Sequence, residues 1–255
     1  MTNPFDLSGE VALVTGGGGG LGRRFAYVLA ANGAQVVVAD RDIEAAQTIA
    51  ADLVAEGFFA KAVYVDVTEP DSVAACFDAA EAAFGLVNVV VCAAGVGAEK
   101  SALRITPDDW RAMMAVNLDG AWLTAQTAAK RMVKAKSGGA IIPIASILGQ
   151  KSHARVAHYS VSKAAVIQMT KSLSLELVRS NIRVNAIAPG AFDTGMTSLL
   201  FDSSFGQAMI GKIPLRRVGE MEELDGALLL LASNASSYMN GDVITVDGGQ
   251  TLVIP

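Results

Sequence analysis

Two cysteines and two histidines in 255 residues leave this chain poor in the side chains that build disulfide frameworks and metal centres. Cys76 falls in a helical pattern and Cys92 at the end of an apolar run, without ligand spacing between them, so both are expected to be buried thiols and no metal site is expected. His153 and His158 are not placed as ligands either. No apolar run approaches the ~18 residues of a membrane span. The start, Met1 to Glu10, lacks the cationic and apolar regions of a secretion signal, so a soluble cytoplasmic protein is expected. Lys and Arg number 20 against 25 Asp and Glu, a net charge of −5. The cations form no stripe, which argues against nucleic acid or an anionic membrane as a partner and for a small molecule. There is no internal repeat, low-complexity tail or linker. What the chain has in abundance is apolar residues, 52% of the total with a mean hydropathy of +0.41, enough for the core of one domain over residues 1–255.

Strand-like apolar runs recur at Val11 to Val14, Gln35 to Ala39, Ala62 to Val65, Val87 to Val91, Ala140 to Ala145, Arg183 to Ile187 and Val243 to Val246. Helical patterns lie between them at Leu21 to Ala31, Ile43 to Glu56, Ser72 to Phe84, Pro107 to Lys134 and Val156 to Arg179, with another at Met221 to Ser233. Continuous apolar strands alternating with amphipathic helices predict an α/β fold, a doubly wound domain with a seven-stranded, mainly parallel sheet covered on both faces. Pro143 falls inside the fifth strand, where its missing N–H predicts a local bulge or a lost ladder bond. Gly190 to Leu215 reads as irregular.

Between the first strand and the first helix stands Thr15-Gly16-Gly17-Gly18-Gly19-Gly20-Leu21-Gly22. A glycine-rich bend opening a helix lets backbone approach a phosphate while the helix N-terminus supplies N–H groups and positive dipole. Asp40 ends the second strand, 24 residues after Gly16, where a carboxylate accepts hydrogen bonds from ribose hydroxyls and repels a 2′-phosphate. NAD is therefore expected over NADP. Arg41 pulls the other way, because a guanidinium there either binds that phosphate or stacks on adenine.

Tyr159 and Lys163 are four apart in a helical stretch and so share a face. An ammonium ~4 Å from a phenol oxygen is worth about 4 kcal/mol at an effective dielectric of ~20, which predicts a phenol pKa lowered by roughly three from its usual ~10. Ser146 lies thirteen residues earlier, at the end of the fifth strand, where ligands bind in such sheets.

These residues resemble the short-chain dehydrogenase/reductase family, and the likeness runs from about Leu7 to Gly249. The family's TGxxxGxG motif is met by Thr15, Gly16, Gly20 and Gly22, and its Asn-Ser-Tyr-Lys tetrad by Asn117, Ser146, Tyr159 and Lys163. The resemblance implies cofactor contacts from Gly16, Gly19, Gly20, Leu21, Gly22, Asp40 and Arg41 around the adenosine half, and from Asp66 and Val67 at the adenine. It implies others from Ala93, Gly95, Tyr159 and Lys163, and from Pro189, Gly190, Phe192 and Thr194 near the nicotinamide. It further implies an NAD(H)-dependent hydride transfer on a secondary alcohol or ketone. In that scheme Tyr159 is the general acid or base, Ser146 and Tyr159 hold the substrate oxygen, Lys163 lowers the tyrosine pKa, and Asn117 holds a water beside Lys163. Relatives are commonly tetramers, so a homotetramer or homodimer is implied. The alternative is a scaffold or sensor that binds NAD without turnover.

Three features depart from the family or leave its details open. Cys92-Ala93-Ala94-Gly95 stands where the family has Asn-Asn-Ala-Gly, so the side-chain bonds bracing the fourth strand are expected to be missing. Gln150, His153 and Arg155 lie on the wall between Ser146 and Tyr159, and are expected to be exposed rather than on the substrate. Residues 194–212 resemble the family's substrate lid and carry Met196, Leu199, Leu200, Phe201, Phe205 and Met209. An apolar lid suits a 3-hydroxyacyl or 3-oxoacyl compound or a hydrophobic cyclic or aromatic alcohol, but it equally suits packing on a neighbouring subunit.

Overall fold

The computed structural model describes residues 3–194 and 204–253. Strands β1 (Val11–Thr15), β2 (Gln35–Asp40), β3 (Ala60–Tyr64), β4 (Val89–Cys92), β5 (Gly139–Pro143) and β6 (Ile182–Val184) form a six-stranded sheet in the order β3-β2-β1-β4-β5-β6. Every pair in it is parallel. Successive residues of β1 explain the two covered faces, since Val11 and Leu13 enter one apolar cluster while Ala12 and Val14 enter the other. Helices α3 (Pro70–Phe84), α5 (Gly120–Ala135) and α6 (Ala157–Leu177) cover the first face through Phe77, Met132 and Val166. The second is covered by α1 (Gly20–Ala31) and α2 (Ile43–Ala55) through Phe25 and Ile49, and by the last long helix through Leu228. The strand order reverses between β1 and β4, which opens a crevice at their carboxyl ends.

The sheet differs from the expected seven strands. Arg183 to Ile187 is not one strand but two, β6 and β7 (Ala186–Pro189), and β7 pairs with β8 (Val243–Val246) as a separate parallel pair. Asn185 causes the break. Buried at the junction, its amide donates to Met239 O at 3.0 Å and its oxygen accepts Asp242 N at 3.0 Å, turning the chain from one partner to the next. A bridge between Ile144 and Ile187 ties the two sheets together. Pro143 sits opposite this junction. Gly139 and Ala145 donate to Asn181 and Ile187, so strand alternation aims the N–H that Pro143 lacks at the gap between β6 and β7. The ladder to β4 continues through Pro143 without a bulge, and the expected lost bond falls where pairing is already broken.

The expected helix Pro107 to Lys134 also divides. α4 (Pro107–Met114) starts with Pro107 at its first position and a reciprocal Thr106–Asp109 capping box, then gives way to a π-turn over Ala115–Asp119 before α5. The irregular section contains α7 (Ser204–Ile210), and Met221 to Ser233 resolves into a 3₁₀ turn, Met221–Leu224, followed by α8 (Asp225–Ala232). Of the expected lid, 195–203 lie outside the described residues, and with them Met196, Leu199, Leu200 and Phe201; the side chains of Phe205 and Met209 lie outside them too.

Arg183 fastens the C-terminal part to the sheet. Its guanidinium donates to Leu231 O and Ser233 O, both at 3.0 Å, and to Ser236 Oγ at 2.5 Å, a cation on the orphan carbonyls at the end of α8.

Candidate active site

The glycine loop is held by contacts that leave no room for side chains. A Cβ on Gly16, whose φ is +70°, would lie 2.7 Å from Ala94 Cα, and one on Gly22 would lie 2.1 Å from Gly16 O. The loop therefore rests on the segment after β4 while α1 rests on the loop. Gly19, by contrast, faces open space. It caps α1 with extended backbone, no side chain accepts from the first turn, and that turn carries no acid. The N–H groups of a helix's first turn have no carbonyl one turn back to satisfy them, an arrangement that would cradle an anion. Leu21 is half-buried beside them.

Asp40 closes the cradle from the β2 side. One carboxylate oxygen accepts Gly18 N at 2.9 Å and the other Asp42 N at 2.9 Å. Arg41 is exposed, and its charge helps hold Asp66 below the usual carboxylate range, though hydrogen bonds from Thr68 do more. Asp66 accepts both the backbone N–H and the hydroxyl of Thr68, at 3.0 and 2.7 Å. Val67 packs on the start of α5, so closely that a Cβ on Gly120 would come within 2.6 Å of its side chain. Across the crevice β7 ends at Pro189, and Gly190 N donates to Val246 O at 2.8 Å. The buried ring of Phe192 lies under Gly219, and Thr194 faces Gly20, whose added Cβ would sit 3.9 Å from Thr194 Cβ.

At the carboxyl ends of β4 and β5 the tetrad residues meet. Gly95 marks the spot: a Cβ there would lie 3.4 Å from Asn117 Oδ1 and 3.6 Å from Lys163 Nζ. Lys163 is buried and donates to Ile144 O at 2.8 Å, and its Nζ lies 5.8 Å from the centre of the Tyr159 ring. Burial pushes its pKa down to about 8. Burial also pushes the Tyr159 phenol up, against a hydrogen bond from the Ser146 side chain that pulls it down. This corrects the electrostatic expectation drawn from the four-residue spacing. The ammonium is bonded to a main-chain carbonyl rather than to the phenol oxygen, and desolvation outweighs every lowering influence on Tyr159. Ser146 accepts Leu148 N at 3.1 Å, which leaves its own proton to point elsewhere. Asn117 sits in the π-turn, its amide bonded to Val96 N and O at 2.8 and 2.9 Å and to Ser162 Oγ at 3.1 Å.

Bracing expected to be missing after β4 comes in part from the hydroxyl of Thr15. Its Oγ1 donates to Val91 O and accepts Ala94 N, both at 3.4 Å. Ala93 N turns back to Val91 O at 3.1 Å. Cys92 is buried with its thiol pushed up to about 12, and Cys76 likewise. Among the described residues no His, Cys, Asp and Glu cluster suits a metal ion, and no helix is long and apolar enough to cross a membrane. The polar wall residues have partners within the chain: Gln150 donates to Thr245 Oγ1 at 3.0 Å, exposed His153 lies on Ala154 O at 2.9 Å, and Arg155 pairs with Glu99 at 2.7 Å.

A doubly wound sheet with a glycine cradle at its switch point and a Ser, Tyr and Lys group beside it defines a dinucleotide-type crevice. Comparison with known proteins is more specific. A family model described as Enoyl-(Acyl carrier protein) reductase matches residues 17–251. The chain is 38% identical over 244 residues to the 3-oxoacyl-[acyl-carrier-protein] reductase FabG of Chlamydia muridarum, covering 95% of this chain and 98% of that protein. It is 39% identical over 245 residues to the cis-4-hydroxycyclohexanecarboxylate dehydrogenase of Sinomonas cyclohexanicum, covering 96% and 97%. A crystal structure of a gluconate 5-dehydrogenase from Burkholderia cenocepacia, in complex with NADP and tartrate, superposes with a TM-score of 0.94 at 38% identity over 98% of each chain. The chain belongs to the short-chain dehydrogenase/reductase family.

Proposed function

We propose that this protein is an oxidoreductase that interconverts a secondary alcohol and a ketone with a nicotinamide cofactor, NAD(H) in preference to NADP(H). The observation that carries this reading is the meeting of Asn117, Ser146, Tyr159 and Lys163 at the strand ends, beside a glycine cradle that Gly19 leaves open. The cradle residues Gly19, Gly20, Leu21 and Gly22 would hold the pyrophosphate, and Asp40 the adenosine ribose. When bound, the cofactor supplies or accepts the hydride. The protein's part is proton transfer and orientation. A phenol whose pKa lies above its ordinary value is protonated at neutral pH, so Tyr159 is ready to give its proton to a carbonyl oxygen that the Ser146 hydroxyl also holds. Lys163, anchored on Ile144 O, fixes the floor beneath the ring and carries the charge that stabilises the phenolate once the proton has gone.

The relatives' names combine a hydroxyl or keto carbon with an acyl or carboxylate group, which supports 3-oxoacyl compounds, cyclic hydroxy acids and sugar acids as the first substrates to test, with cyclic and aromatic alcohols beside them. Association of copies as a homodimer or homotetramer would cover the groove between α5 and α6, lined by Leu118, Trp122, Met169 and Leu173. The deciding experiment follows NADH absorbance across that panel for wild type and Tyr159→Phe. Turnover should fall at least a hundredfold in the variant, in keeping with the ~10² to 10⁴ of a positioned proton donor, with NADH affinity retained. Near-wild-type turnover would refute the role of Tyr159, and tight NADH binding without turnover in wild type would point to a scaffold or sensor.

A further inference from the structure

Ser162, which lies one residue before Lys163 and three after Tyr159, is fully buried yet has no part in the chemistry described above. Its hydroxyl proton is committed to its own helix, donated to Tyr159 O at 2.7 Å. What remains to face outward are lone pairs, so Ser162 can accept but not donate, and it accepts Asn117 Nδ2 at 3.1 Å. Val96 sets which way the Asn117 amide points, because its N–H can only donate and its carbonyl only accept, and Ser162 holds the nitrogen edge against α6. With the nitrogen on Ser162, Oδ1 takes Val96 N at 2.8 Å, and Nδ2 also reaches Val96 O at 2.9 Å and the Met113 thioether at 3.1 Å. Four elements meet in this network: the chain after β4, α4, the π-turn and α6. A buried network in which every member is satisfied holds a single arrangement, and one in which a member is lost does not.

We propose that Ser162 is a positioning residue, anchoring the Asn117 amide to α6 and through it holding the Gly95–Val96 chain at its close approach to Lys163. The inference rests on the oxidoreductase reading for its kinetic consequence, but its structural consequence is independent of turnover. Val96 N–H has Asn117 Oδ1 as its acceptor, so its exchange with solvent reports the amide directly.

The test is hydrogen exchange and kinetics on the intact chain carrying Ser162→Ala, with Ser162→Cys, similar in volume and a weak hydrogen bonder, as the second variant should alanine prevent folding. Protection of Val96 N–H should fall at least tenfold while Val91 N–H, inside β4, stays within twofold of wild type. For the best substrate of the panel, kcat should drop about tenfold with the dissociation constant for NADH within twofold. In an Asn117→Ala background the Ser162 substitution should cost no further kcat, because its effect passes through Asn117. Unchanged Val96 protection would overturn the proposal, and so would a fall in protection without a fall in kcat, or a kcat loss that recurs in full without Asn117. If wild type turns over no substrate, the oxidoreductase reading fails by itself and Val96 exchange alone decides the role of Ser162.

Discussion

Lys163 places a cation in the interior with a carbonyl for company, and among the described residues no carboxylate pairs with it. Its pKa falls from 10.5 to about 8 because burial penalises the charged form. At about 1.4 kcal/mol per tenfold change in proton affinity, that fall corresponds to a folding penalty of about 3 kcal/mol at neutral pH. Between pH 8 and 10.5 the unfolded chain binds a proton that the folded chain has released, so stability rises with pH across that window, and the penalty is felt in full below it. Lys163→Met removes the titration. It also leaves Ile144 O without its donor, at a cost of about 1–3 kcal/mol, but that cost is independent of pH. The informative quantity is thus the difference in unfolding free energy between wild type and variant, taken from urea titrations at pH 7 and pH 10. Tyr159 and Cys92, also raised by burial, are present in both proteins and largely cancel. Wild type should gain about 2–3 kcal/mol on the variant between the two pH values. A difference that stays flat would mean that Lys163 is solvated or paired in solution, and the account of the floor beneath Tyr159 would be wrong.

Two further substitutions test the frame around that floor. Asp40→Ala removes the acceptors of Gly18 N and Asp42 N together with the negative charge proposed to face the ribose, so NADH should bind about tenfold more weakly and NADPH more tightly, as read by fluorescence titration. A wild type that prefers NADPH by more than tenfold would show that Arg41, not Asp40, sets the choice. Arg183→Leu strips the end of α8 of a charged donor to Leu231 O and Ser233 O, and should lower the unfolding free energy by about 2–3 kcal/mol in urea. A change within about 0.5 kcal/mol, the range of an ordinary surface substitution, would mean that water serves those carbonyls as well.

The layered fold was legible because each strand is a continuous apolar run, and that pattern is available in one dimension. The glycine loop was legible for a similar reason: Gly16 and Gly22 are required by contacts with neighbours close in sequence or on the adjoining strand. What could not be read depends on groups brought together from far apart. The β6–β7 break arises from Asn185 meeting residues 239 and 242, and nothing in Arg183 to Ile187 alone announces it. Pro143 was visible as an anomaly, but its harmlessness depends on that same break lying opposite. The π-turn follows the same logic. Its residues read as ordinary helix, and the extra width appears where Asn117 must reach both Val96 and Ser162. The sign of the Tyr159 shift is not legible in the sequence because helical spacing specifies a shared face but not which acceptor the ammonium finds there. Ile144 O, nineteen residues upstream at the end of β5, takes that hydrogen bond, and the balance passes from charge attraction to desolvation. A site of this kind is therefore specified twice, by a motif that selects the side chains and by strand ends that decide what each is bonded to, and the second of these decides whether charge or burial governs each group.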